Sequence, residues 1–237
     1  MFTFNQSKRD EWVARQASAI SAGSTVLDVG AGIGRYRHLF SHCIYKAHDF
    51  AQEPTTIGKY TTLDYVSDIC EIPASDGAFD AILCTEVLEH VSEPAKALRE
   101  MFRILRPGGT LLVTAPLGCF LHQEPYHFYG GFTPHWYEKV LPETGFKIES
   151  IVANQGFFSW FGQEARRFSA LLDPRRTPHT GVRFLLIFNI WILTVLFCRL
   201  LFPAIGTWLD TLGLEQAATV GYFVVAKRLE RATSGLY

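Results

Sequence analysis

Residues 26–36, Val-Leu-Asp-Val-Gly-Ala-Gly-Ile-Gly-Arg-Tyr, constrain the chain more than any other stretch. An apolar pair leads into Asp28, and glycines follow at 30, 32 and 34. A short buried strand running into a glycine-rich turn lets backbone N–H groups approach a nucleotide-like ligand, because glycine has no Cβ to hold it off. The spacing narrows the ligand. A dinucleotide site wants glycine at its first, third and sixth positions, but the sixth position here is Arg35. An NAD-dependent oxidoreductase is thereby disfavoured. The turn alone is still compatible with an ordinary strand–loop–helix corner, so the rest of the chain must supply the other parts of a site.

In chain order, Ser7 before Lys8-Arg9-Asp10-Glu11 reads as a helix cap, and Trp12, Val13, Gln16 and Ile20 follow at helical spacing. Residues 25–29 are the first strand, 33–42 the first helix and 44–48 a second strand ending at Asp49-Phe50. Ligands of parallel α/β sheets lie beyond the carboxyl ends of the strands, so Asp49 can accept hydrogen bonds from both hydroxyls of a ribose. A third strand is expected over 60–66, followed by Asp68-Ile69, and a fourth closes at Cys84-Thr85. A helix over 93–105 stops at Arg106-Pro107-Gly108-Gly109, and 110–115 is a fifth strand. Thr133-Pro134 starts a further helix, 146–152 is a sixth strand and 219–227 a seventh.

Several of these features together resemble one family. They are the acidic-x-Gly-x-Gly-x-Gly turn, Phe79-Asp80 before the fourth strand, Glu89-His90-Val91 after it, and Arg103-x-Leu-Arg-Pro-Gly-Gly at the hinge. Over residues 25–116 the chain resembles the class I S-adenosylmethionine-dependent methyltransferases, in the type 11 branch. That resemblance implies an α/β fold with a Rossmann-like, seven-stranded, mostly parallel sheet, an antiparallel last strand and flanking helices. It implies S-adenosylmethionine as cofactor. Gly30, Ala31, Gly32 and Gly34 would line its amino-acid end, and Asp28 would hold the loop or the ammonium. Asp49 and Phe50 fall at the ribose, Asp68 and Ile69 at the adenine, and Cys84 and Thr85 near the reactive methyl. His90 is read as a helix-start residue.

Methyl transfer from a sulfonium is mainly a matter of alignment, with a base where the acceptor must lose a proton. The acceptor pocket is expected in the long aromatic loop 117–134, where His122, Glu124 and His127 are candidate bases. The His122-x-Glu124-x-x-His127 spacing lacks the two-turn helical pattern of a ligand pair, so no metal is expected. Some family members carry an Arg shortly before the Thr-Pro, where this chain has Gly130-Gly131, and the charge of the acceptor stays open. A formal net charge of −1 excludes a basic nucleic-acid surface. Five dispersed cysteines without a C-x-x-C pattern read as free thiols in a reducing compartment. With a polar stretch at 1–15, they point to the cytoplasm.

Between the last two strands lie roughly sixty residues that the family pattern does not explain. They divide the chain into a core with N-terminal helix over 1–160, an apolar helical insertion over 161–217, and the final strand and tail over 218–237. Residues 182–202 are apolar almost throughout and long enough to span a bilayer. The seventh strand must nevertheless return beside strands five and six, which argues against a single crossing. A membrane-surface element over 164–215, peripheral to the inner face, is preferred to a hydrophobic lid or a homodimer surface. The expected function is methyl transfer to a small or lipid-linked acceptor, a glycan or isoprenoid intermediate being in view. The rival is a SAM-binding scaffold that recruits partners at a membrane without turnover.

Overall fold

A computed structural model of the chain describes residues 4–54, 56–176, 180–213 and 218–229. Seven strands form one sheet: β1 (Thr25–Val29), β2 (Ile44–Asp49), β3 (Tyr65–Val66), β4 (Phe79–Thr85), β5 (Leu105–Pro116), β6 (Phe146–Ala153) and β7 (Gly221–Arg228). Their order is β3-β2-β1-β4-β5-β7-β6. β1 pairs in parallel with β2 and β4, and β4 with β5, whereas β7 runs antiparallel to β5 with Val224 opposite Val113. The chain leaves β1 toward β3 and returns on the other side at β4. That reversal opens a crevice at the carboxyl ends of β1 and β4, where open α/β sheets bind ligands.

The central strands β1, β4 and β5 are largely apolar and buried because both faces of the sheet are covered there. On one face Leu27, Val29, Ile82 and Val113 pack with Leu98, Met101 and Ile104 of α2 (Pro94–Ile104) and Tyr137 and Leu141 of α3 (Pro134–Thr144). On the other, Val26, Leu83 and Leu112 meet Trp12 and Val13 of α1 (Phe4–Ala19), and Trp12 stacks on Phe223 of β7 at 5.0 Å. The Thr133 side chain caps α3 by accepting the Trp136 N–H, as Thr-Pro at a helix start favours.

Three expectations are corrected. Ser7 lies inside α1, so it is not a cap. No α-helix spans 33–42: Gly32 and Gly34 hold positive φ of 51° and 73°, and only a 3-10 turn, Arg37–Phe40, fits before β2. The third strand shrinks to two residues. Thr61 donates its N–H to Gly32, and Asp64 uses its carboxylate to take the Ala47 N–H, so 61–64 tie down the glycine turn and β2 by other bonds than a ladder.

The described residues fall into two compact units, one drawn from 9–152 and 221–229, the other from 4–8 and 153–220. In the latter, α4 (Phe157–Leu171) precedes an unbroken helix from Gly181 to Asp210. This long helix comprises α5 (Gly181–Val195), a π-helical stretch (Leu196–Leu201) and α6 (Phe202–Asp210), so it runs on beyond the apolar run 182–202. Asp210 closes the arrangement. Its carboxylate accepts the N–H groups of Gly156, Phe158 and Ser159 at 3.0–3.2 Å, capping α4 from outside. Gly206 permits this approach, since a Cβ there would lie 2.8 Å from the Phe158 carbonyl oxygen. The long helix is apolar enough to cross a membrane by length and composition, and none of its most apolar window is buried.

Candidate cofactor and acceptor site

A cavity of about 400 Å³ opens at the carboxyl ends of β1, β2 and β4. Its floor is the glycine turn. Gly30 adopts φ +70°, and a Cβ there would lie 2.3 Å from Cγ2 of Val87, another lining residue. At Gly32 the same construction meets nothing, so its backbone faces open space. Asp49 ties the floor to the side wall: its carboxylate accepts the Gly32 N–H at 2.9 Å and the Ala51 N–H at 3.0 Å. Asp68 turns the chain after β3 by accepting the Cys70 N–H at 2.7 Å, which leaves Asp68 and Ile69 on the cavity wall.

The loop after β5 forms the opposite wall. Both Phe128 and Tyr129 donate their N–H groups to the Glu89 carbonyl, and Phe132 donates to Pro116. Gly131 makes this closure possible, because a Cβ there would sit 2.1 Å from the Leu117 carbonyl oxygen. Gln123, Tyr126 and Phe128 thereby line the cavity, and Tyr126 meets Phe50 edge to face at 4.9 Å. Beside them Glu86 sits at φ +53°, its carboxylate held by Arg9 at 3.1 Å and by the Thr114 hydroxyl at 2.9 Å.

The structure gathers the expected residues unevenly. Gly30, Gly32, Asp49, Phe50, Asp68 and Ile69 line one cavity. Asp28 is buried in β1 and accepts a 2.6 Å hydrogen bond from Tyr45; burial pushes its carboxyl up to about 7, with the nearby Asp49 charge adding and the Tyr45 bond opposing. Ala31, Gly34, Cys84 and Thr85 are also outside the lining. Gly34 backs onto Thr61, and the Cys84 thiol is wholly buried, which holds it well above its ordinary range. His122, Glu124 and His127 stand on the loop without lining the cavity, and Glu124 is exposed.

His90 does line it. Its ring lies 4.8 Å from that of His122 and 5.6 Å from that of His127, centroid to centroid, and burial lowers its pKa. Directly behind it Glu89 is buried, and loss of water raises its carboxyl well above the usual range. Sequence reasoning missed Gln52, Glu53 and Tyr60, passing over 51–60 as a polar connection. Their signal was position: they follow the Asp49-Phe50 strand end directly, and the Tyr60 hydroxyl folds back to accept the Glu53 N–H.

Sheet order, antiparallel β7 and the crevice beside the glycine turn together define the class I methyltransferase fold. Residues 27–113 match the methyltransferase-domain family, and the fold around them is that of the class I S-adenosylmethionine-dependent methyltransferases. Similar curated proteins include a demethylmenaquinone methyltransferase of Renibacterium salmoninarum, 32% identical over 118 residues, covering 48% of this chain and 50% of that protein. Another is a ubiquinone biosynthesis O-methyltransferase of Pseudomonas paraeruginosa, 31% identical over 116 residues, covering 45% and 49%. The chain thus spans about half the length of the curated relatives it matches. Among solved structures, the YcgJ protein of Bacillus subtilis aligns with a TM-score of 0.55 at 16% identity, over 93% of this chain and 99% of that one. The cyclase SpnF aligns equally well, with a TM-score of 0.55 at 19% identity over 94% and 80%. The fold therefore does not fix the reaction.

Proposed function

We propose that the protein transfers the methyl group of S-adenosylmethionine to a small, apolar or lipid-linked acceptor, with quinone-type compounds as the leading class. One observation carries the reading: six residues that the family resemblance assigns to the cofactor line the same cavity as the aromatic loop. Its volume falls within the roughly 300–1,000 Å³ usual for small-molecule sites. The cofactor, when bound, supplies an electrophilic methyl on a sulfonium whose leaving group is a neutral thioether. The chain has to bind, align and exclude water. Asp49 keeps lone pairs for the ribose hydroxyls beyond the two amides it already accepts. Asp68 faces the adenine amino group, with Ile69 and Phe50 against the ring and sugar. Gly30 and Gly32 offer backbone at the amino-acid end. Tyr126 and Phe128 cover the acceptor side, where His90, unlike exposed Glu124, lines the cavity.

Two observations favour an apolar acceptor. Phe120, Leu121 and Phe128 are exposed on the loop, and the helix Gly181–Asp210 leaves its apolar side chains uncovered. We place the protein in the cytoplasm, peripheral to the inner face of the membrane through 164–215. Purified protein with methyl-labelled S-adenosylmethionine and a membrane lipid extract tests the reading, and label in an extractable product is the expected result. Cofactor binding without transfer would favour the scaffold instead, and NAD binding in place of S-adenosylmethionine would overturn the assignment.

A further inference from the structure

His90, His122 and His127 converge from two separated stretches of chain, with one ligand nitrogen of each within 4.8 Å of the others. Among the described residues this is the group of side chains placed to hold a metal ion. The rings make no hydrogen bonds to one another. Instead the Nδ1 of His90 faces the Tyr126 carbonyl oxygen, and the Nδ1 of His122 faces the Phe120 carbonyl oxygen at 2.8 Å. A carbonyl can only accept, so both Nδ1 atoms carry a proton, and in the neutral ring it is Nε2 that presents the lone pair. Backbone bonds that fix the outer nitrogen of a histidine are how metal-ligating imidazoles are oriented. The third ring, His127, keeps its Nδ1 buried without a hydrogen-bond partner. Behind His90, Glu89 is 1% exposed; its Oε2 has no hydrogen-bond partner and its Oε1 lies 3.8 Å from the His90 Nε2.

We propose that His90, His122 and His127 form a binding site for a divalent transition-metal ion of the zinc type. Three imidazoles suit zinc, and three protein ligands leave its fourth position for water or substrate. The edge of a tetrahedron at usual zinc–nitrogen lengths is about 3.4 Å, so the exposed loop that carries His122 closes inward on the other two rings with its Phe120 bond kept. His90 lines the cavity, so the fourth position faces the acceptor side. There the ion holds an acceptor oxygen and favours its ionised form; the released proton goes to solvent and the electron pair stays on oxygen. That role rests on the methyl-transfer reading. Binding of the ion does not.

Tag-free protein, stripped with chelator and titrated with zinc or cobalt(II), tests the site, with S-adenosylmethionine binding measured separately by calorimetry. One equivalent is expected to bind at micromolar or better affinity, and cobalt is expected to give the intense visible bands of a tetrahedral site. His122→Ala, at an exposed position that folding does not need, should weaken binding at least tenfold, as should His90→Asn and His127→Asn. Absence of stoichiometric binding, or affinity unchanged in His122→Ala, would overturn the proposal. Metal binding without cofactor binding would leave the site standing and remove the methyltransferase reading.

Discussion

Gly30 shows how tightly the cofactor floor is built. Alanine there meets Val87 at 2.3 Å and must hold φ near +70°. Strain and overlap of this kind cost about 1–3 kcal/mol, and relief would move Val87 within the cavity wall. We therefore expect Gly30→Ala to lower S-adenosylmethionine affinity at least tenfold by calorimetry. Gly23→Ala is the control: φ is +80° there, but space is open and the cavity is elsewhere, so melting temperature should fall while affinity holds. Asp28 makes a different kind of prediction. Its carboxyl titrates near 7 when folded, against a usual 3.8, so between those values the folded state binds the extra proton. The associated stability is complete below about pH 4 and is lost as pH rises through 7, by up to about 1.4 kcal/mol per pH unit. Asp28→Asn should flatten this dependence in the ligand-free protein. Equal slopes of melting temperature between pH 5 and 8 for both proteins would remove Asp28 as the cause.

The loop after β5 is the element on which the proposed acceptor chemistry can be separated from cofactor binding. It is closed by backbone bonds to Glu89 and Pro116, and Gly131 passes too near Leu117 to carry a side chain. Gly131→Ala should hold the loop open, leaving cofactor affinity within about twofold while acceptor turnover drops at least tenfold. A matching loss of cofactor affinity would show instead that the loop belongs to the cofactor wall. Strands and long helices were legible in the sequence because burial on both faces writes continuous apolar runs, as at 26–29 and 79–85, and because α2 repeats Leu98, Met101 and Ile104 at helical spacing. The first connection was not legible. Glycines read as a ligand turn also kept 33–42 from becoming an α-helix, since two left-handed residues use up the chain available before β2. Asp49 could be placed from its strand end, and Asp68 only through the family resemblance. The histidine cluster could not, because His90 is 32 residues from His122 in sequence and joins it only when the loop folds back over Glu89.

At the scale of the whole molecule, the apolar helix Gly181–Asp210 is the feature that a minimal methyltransferase sheet does not require. Deletion of 164–215 with a short polar connection should shift the protein from the membrane pellet to the supernatant after lysis without detergent. Intact protein that fails to sediment with liposomes would exclude the membrane role. The position of β7 has a consequence for biosynthesis. β5 has β4 on one side and, on the other, only β7, which follows the apolar helix in the chain. During translation the helix therefore leaves the ribosome while the Leu111–Ala115 edge still lacks its outer partner, and open edges of this kind template misassociation. Whatever receives the helix at that moment, lipid or chaperone, also sets the time available for β7 to arrive and seal the sheet.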